Sequence, residues 1–505
     1  MKDKFDELEE CLARPATRRQ TLRRVSFGLV ATLVATSRLA PVSANDFRLG
    51  PVSDLSDPDA LAACGSNGAE REVSLAVNPT NPKNVVAAWI GGGFKGIGTA
   101  VSFDGGKDWQ QIVIPGVTLC TGGTSVIAGD PWLTFAPNGE LYAIYNAGDI
   151  LKIFGGTLAT GSLRLNLVSK STDSGLHWSS PVTLFEGTDK LTTTDKPSIT
   201  ADPTDARFVY AIWNVLANGN RGQAVLARTT DGGRTWEPAR VIYDSATSDS
   251  GTLGHQIVVS PEGALVDLFN EYKSSNAGAR KNGVLSVIRS TDKGQTWSAP
   301  IRVVSLPTFD VTDPDTGALV VNNASVYPNL PSDFAMDSKN GNLYAVWEDN
   351  RFSNGQYSSI AFAMSSDGGF SWSAPIQVNK TPADVASGNR QAFIPSIAVA
   401  ADGTIGVTYY DFRFNDANPG LPTDYWLVHC HPSDTAPATD PANWGGELRL
   451  TEKSFDIETA NNPGGGGYFL GDYEGLATVG NEFLAAWSQP HDNDLDSVFF
   501  RRVGP

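Results

Sequence analysis

The sequence predicts an all-β fold, a ring of four-stranded blades closed as a β-propeller, on three observations. An eight-residue turn pattern recurs five times, with its Asp residues 69, 58, 61 and 75 positions apart. Short apolar stretches of strand-forming residues flank every copy, so the repeated unit is a small antiparallel sheet. Hydrophobic residues make up 41% of the 505-residue chain and charged ones 18%, with 51 Gly, 30 Pro and 12 Trp. That mixture suits many short strands joined by tight turns and argues against long helices or disorder.

The first 44 residues read as an export address rather than as part of the ring. Thr17-Arg18-Arg19-Gln20-Thr21-Leu22-Arg23 resembles a twin-arginine signal, a largely apolar run follows from Val25 to Ala35, and Val42-Ser43-Ala44 offers a small-residue cleavage site. The run is short for a membrane-spanning helix; retention as an uncleaved anchor is the alternative. Residues 45–505 are then expected to form a single propeller domain, secreted or held at the cell envelope and acting as a monomer. Removing residues 1–44 leaves 30 basic and 50 acidic residues, a surface that repels nucleic acid and anionic membranes. In an oxidising compartment Cys64 and Cys120, each in a Gly-rich loop ahead of a strand, are expected to pair. Cys430, in Val428-His429-Cys430-His431, reads as a buried small residue, since no Cys/His spacing matches a zinc site.

The five turns are Ser102–Trp109, Ser171–Trp178, Thr229–Trp236, Ser290–Trp297 and Ser365–Trp372, each running Ser/Thr-x-Asp-x-Gly-x-x-Trp. Asp accepts hydrogen bonds from its own turn, Gly supplies positive φ, and Trp packs beneath as a lid. Ahead of each turn lies a strand, a Gly/Asn turn and a second strand ending near an aromatic residue. Counting these openings places units near Glu72, Pro131, Pro197, His255, Pro331, Pro395 and Tyr473. The sixth has only a degenerate Trp444-Gly445-Gly446, and the seventh ends after about three strands. A strand around Phe47 to Val52 is expected to complete that last blade and remove the exposed edge. Seven blades are therefore favoured, with six as the alternative if the final unit is only a cap.

The pattern resembles the Asp box, or BNR repeat, of the sialidase superfamily. The resemblance covers nearly all of the chain after residue 44 and implies a propeller that acts on or binds a glycan. It places the five turns on one face, between third and fourth strands, and the functional loops on the other. Retaining sialidases use a Tyr nucleophile activated by a Glu, three Arg on the sugar carboxylate and an Asp acid/base. Carried onto this chain, Tyr473 in Gly471-Asp472-Tyr473-Glu474-Gly475 is the candidate nucleophile, Glu271 the base, Asp130 the acid, and Arg351, Arg390 and Arg413 the clamp. The Arg-Ile-Pro motif that sialidases carry before their first Asp box is missing, and the nearest arginine, Arg71, precedes Glu72-Val73. Tyr473 also reads as a packing residue. The Asp349/Arg351 and Asp411/Arg413 pairs equally read as ion pairs between blades. A glycan- or protein-binding propeller without catalysis is the alternative function, and a lyase or other hydrolase on the same scaffold is a third.

No organic cofactor is expected, because no phosphate-cradling Gly loop, nucleophile elbow or dinucleotide fingerprint stands out. One stretch, Asp310-Val311-Thr312-Asp313-Pro314-Asp315-Thr316-Gly317, spaces oxygen ligands as some calcium loops do. Asp310, Asp313 and Asp315 are thus candidate Ca²⁺ ligands, with an ordinary acidic turn as the alternative.

Overall fold

The computed structural model describes residues 47–505 except 66–67, 150–151, 155–156, 160–161, 188–191, 218–220, 246–249, 275–279, 321–331, 461–466 and 493. The twin-arginine-like segment and the expected blade start at Pro331 lie outside the described residues. Among the described residues, no helix is long and apolar enough to cross a membrane.

Seven antiparallel sheets form the ring, each with four strands in simple consecutive order from the axis outwards, and in the sixth Phe455–Asp456 adds a fifth beside Pro422–Cys430. The first strands, nearest the axis, are Arg71–Val77, Ile127–Phe135, Thr192–Ala201, Ser250–Val259, Ser332–Met336, Ala392–Val399 and Gly475–Val479. They begin within a few residues of the openings read from the sequence. The seventh blade is composite: Gly475–Val479, Glu482–His491 and Asp494–Gly504 are completed on the outside by Arg48–Asp54, paired antiparallel from Arg48↔Gly504 to Asp54↔Phe499. The expected closing strand is present, and the seven-blade reading holds over the six-blade one.

Packing explains why second strands are the most apolar. Each is covered on both faces by neighbouring blades, so Val85–Gly91, Leu343–Asp349 and Ile405–Asp411 are buried at every residue. One aromatic per blade anchors this layer: Trp89, Tyr145, Trp213, Phe269, Trp347, Tyr409 and Trp487, all buried. The core is accordingly a ring of inter-blade clusters rather than one centre.

First strands are stitched around the axis by side chains at one repeated position, opposite the residue that precedes the second-strand aromatic. Ser74 accepts from the Leu133 amide (3.0 Å), and Ser198 donates to the His255 carbonyl (2.8 Å). Gln256 donates to Ser332 O (3.4 Å), Asp333 accepts from the Ile397 amide (2.8 Å), and Ser396 donates to Glu474 O (2.7 Å). In the second blade this position is Trp132, and in the seventh Gly475.

All five Ser/Thr-x-Asp turns share one set of hydrogen bonds on the face opposite the first-strand entries. In the first, Ser102 Oγ donates to Asp104 (2.9 Å) and accepts from the Gly106 amide (2.8 Å), while Asp104 accepts from the amides of Lys107 and Asp108. Those backbone bonds hold the Asp104 carboxyl down at about 2. Gly106 sits at φ +92, and a Cβ there would meet Phe500 at 2.3 Å, so the glycine is required twice over. The sixth blade lacks the turn, and Trp444 instead donates its indole N–H to Ala438 O (2.8 Å).

Cys64 and Cys120 are disulfide-bonded, with Cα atoms 5.9 Å apart and a sequence separation of 56, while Cys430 is free and buried. The bridge ties the segment entering blade one to the segment leaving it. Loop-closure entropy for such a span is about 4 kcal/mol. The C64S/C120S variant is expected to lose roughly that much in guanidinium unfolding while keeping its far-UV spectrum. A loss under about 1 kcal/mol would show that the unfolded chain keeps these segments close without the bridge.

Candidate active site at the axial funnel

The site is built from an irregularity that the blades repeat. First strands one, two, three, four and six each carry a β-bulge just before the stitching position. The first bulged residue in each has positive φ: Glu72 (+55°), Asp130 (+51°), Lys196 (+46°), Gly254 (+70°) and Ile394 (+48°). Non-glycine residues occupy this region at an energetic cost, and such strain concentrates at functional sites. Three consecutive blades place an ionisable side chain there, and the three meet at the axis.

Lys196 Nζ contacts Glu72 Oε1 at 3.3 Å and bonds Asp472, which enters from blade seven, with Asp195 at 4.0 Å. Asp130 Oδ2 accepts from Asn146 Nδ2 (2.9 Å) and from the Lys196 amide (3.4 Å). Glu72 and Asp130 are 2% and 5% exposed. Burial, reinforced by the Asp130 charge, pushes the Glu72 carboxyl well above the carboxylate range. Burial works on Asp130 in the same sense, but Lys196 and the hydrogen bonds from Glu72, Asn146 and the Lys196 amide outweigh it and hold that group low. The pair therefore separates into a neutral acid and a carboxylate.

Beside this cluster lies a cavity, open to solvent, whose wall comes from blades two to seven. Trp132, Lys196, Asp333, Asp472, Tyr473 and Glu474 contribute its chemistry, and Lys196 is the one cationic side chain among its lining residues. Asp333 accepts from its neighbour's amide as well as from Ile397, yet burial raises its carboxyl to about 6. Glu474 accepts from Tyr410 Oη (2.7 Å) and the Ser488 amide (3.1 Å), and burial raises it well above the usual range. His255 is buried against Asp267, Nδ1 to Oδ2 2.6 Å.

Of the residues read from the sequence as sialidase-like, the structure brings Tyr473 and Asp130 to the funnel and leaves the other four elsewhere. Tyr473 spans from blade seven to blade two, donating to Pro131 O (2.8 Å) with its ring 5.2 Å from that of Trp132. Burial, reinforced by the neighbouring carboxyls, pushes its phenol well above 10. That environment opposes a phenolate nucleophile and fits the packing reading. Glu271 accepts from Tyr243 Oη (3.2 Å), away from Tyr473. Arg351 is held by Asp349 (2.7 Å) and Ser305 O (2.7 Å), and Arg390 by Val385 O (2.6 Å), Ala383 O and Tyr357 Oη (3.3 Å). Arg413 lies between Asp411 and Glu447 (2.6 Å to each), over the Trp426 ring at 3.6 Å. These arginines form no clamp, because each is already paired locally. Both Asp-x-Arg pairs are ion pairs, within a blade rather than between blades.

Residues 310–317, read from the sequence as a candidate calcium loop, form a hydrogen-bonded turn. Asp313 closes an Asx turn, accepting from the amides of Asp315 (2.8 Å) and Thr316 (3.1 Å), from the Thr316 hydroxyl and from Tyr468 Oη (3.0 Å). Asp315 accepts from Asn415 (3.1 Å). Both Asp313 oxygens are engaged by these bonds, and among the described residues no group of three or more His, Cys, Asp or Glu is arranged to hold a metal.

The sequence names Glu72 only as a blade start and Asp472 only as a neighbour of Tyr473, and it does not single out Lys196, Trp132 or Asp333. Aligning the blades on their second-strand aromatics exposes Trp132, which breaks a column otherwise filled by small or polar residues.

No family model matches the chain. A xyloglucanase of Paenibacillus sp is 25% identical over 301 residues, covering 57% of this chain and 24% of that protein. Xyloglucanase Xgh74A of Acetivibrio thermocellus is 26% identical over 231 residues, 42% of this chain and 22% of its own length. The match thus spans about a quarter of these curated relatives. Among solved structures, a PL25 ulvan lyase is 12% identical with a TM-score of 0.48, covering 86% of this chain and 94% of the lyase. The Hadza microbial sialidase Hz136 is 15% identical with a TM-score of 0.45, covering 83% and 73%.

Proposed function

We propose that the axial funnel binds a glycan and cleaves a glycosidic bond by acid–base catalysis. One observation carries this reading: the cavity wall holds carboxyl groups in contrasting environments. Asp333 is raised to about 6 by burial, and Asp472 is ion-paired to Lys196. A carboxyl raised by burial together with one held in an ion pair is the arrangement glycoside hydrolysis needs. Asp333 would donate a proton to the leaving oxygen, and Asp472 would act as the carboxylate on the other side, with Lys196 fixing its position. The curated xyloglucanases support a carbohydrate substrate. Sialidase-like cleavage is the most specific form of the reading, but it would need arginines other than Arg351, Arg390 and Arg413. Export by the twin-arginine route belongs to the same proposal and is supported by the Cys64–Cys120 bridge, which suits an oxidising destination.

The test is reducing-end release from a panel including xyloglucan, arabinan and ulvan, beside a fluorogenic sialoside. Turnover of at least one polymer is expected, with kcat falling about 10²–10⁴-fold in Asp333→Asn and Asp472→Asn. Because Asp333 must be protonated to act, activity should decline as pH rises through about 6, and that limb should disappear in Asp333→Asn. Glycan binding without turnover would favour the non-catalytic reading, which the burial of Glu72 and Asp130 supports.

A further inference from the structure

We propose that the axial cavity takes an uncharged sugar ring stacked on Trp132. The inference rests on the glycan reading above and specifies its ligand. At the stitching position five blades carry Ser74, Ser198, Gln256, Asp333 or Ser396, each hydrogen-bonded to the next blade's backbone. Blade two carries an indole there instead, and its side-chain link to blade three lies two residues on, at Thr134 Oγ1 accepting from the Ala201 amide (3.1 Å), a position at which Thr200 likewise links blade three to blade four. A large aromatic in a column of small or polar residues breaks the local rule of the repeat, and such breaks fall at functional sites.

Trp132 is only half-buried and lines the cavity. Tyr473 braces it, packing against the indole and bonding the carbonyl of the residue just before it. A pyranose offers an apolar C–H face to such a ring and hydroxyls at its edge. Acceptors for those hydroxyls stand around the same cavity, on Asp333, Asp472 and Glu474. The sole lining cation, Lys196, is already shared between Glu72 and Asp472. A carboxylated or sulfated sugar would enter a field dominated by carboxyl groups with no guanidinium to receive it.

The experiment is calorimetric titration of the full-length protein with neutral oligosaccharides from xyloglucan and arabinan, and with oligogalacturonate and oligosialate as anionic probes. Trp132→Leu removes the π face while keeping apolar volume, and Trp132→Phe restores a ring; circular dichroism checks that both fold. A neutral ligand is expected to bind wild type, to bind Trp132→Leu roughly tenfold more weakly, and to recover most of that affinity in Trp132→Phe. Anionic probes binding more tightly than neutral ones would overturn the charge argument. Neutral binding unchanged in Trp132→Leu would overturn the stacking role and leave the glycan reading standing. No glycan binding by wild type would overturn the glycan reading and this inference together.

Discussion

Replacing Lys196 with Met is expected to destabilise the protein by about 3–5 kcal/mol at pH 7.5, the range for removing one partner from a buried ion cluster. The ammonium is the charge that Glu72 and Asp472 share, and it is the leading influence that keeps the buried Asp130 carboxyl low. In the wild type, a carboxyl held below its unfolded value contributes stability above pH ~4, lost as pH falls through the folded value. Glu72 runs the other way: raised by burial, it makes the folded state less favourable as pH climbs above ~4. Without Lys196, Asp130 joins Glu72 on the raised side, because burial then acts on it with less opposition. The stability gap between variant and wild type should therefore be widest near neutrality and shrink toward pH 4.5, where the acids regain protons. Urea unfolding at both pH values measures it. An equal gap at the two would mean that lost packing, not charge, accounts for the effect.

Loss of ring closure should be comparably severe. The outer strand Arg48–Asp54 is largely exposed or half-buried along its length, so its hold comes from the ends. Phe47 is 7% exposed and stacks on His429 at 4.3 Å, beside Phe483; Leu55 is 1% exposed in the cluster joining blades seven and one. Phe47→Ala and Leu55→Ala are each expected to cost about 2–5 kcal/mol. The two sites lie at opposite ends of a seven-residue strand, so the costs should nearly add. The double variant should show a lower unfolding midpoint and concentration-dependent association, because Asp494–Gly504 becomes a free sheet edge. A double variant as stable as either single one would mean that one end alone holds the strand.

Repeated local chemistry was legible without coordinates. The Ser/Thr-x-Asp-x-Gly turns, the alternation of strand and turn, and the shortfall of one strand at the C-terminus each state a short-range requirement. From these the blade count, the closing strand and the Cys64–Cys120 pair could be read. The site was only half legible for the same reason. Tyr473 and Asp130 were found because they open first strands, but the roles given to Glu271, Arg351, Arg390 and Arg413 came from residue type. Each of those four finds its partner locally, which no count of arginines reveals.

By itself, then, the sequence determined what depends on neighbours along the chain: a seven-bladed, all-β ring with its turns on one face and its polar loops on the other. Only the tertiary structure decided which ionisable groups meet. Glu72, Asp130, Lys196 and Asp472 come from four different blades and as much as 400 residues apart. Their charge states are set by burial and by one another, quantities that exist only once the ring has closed.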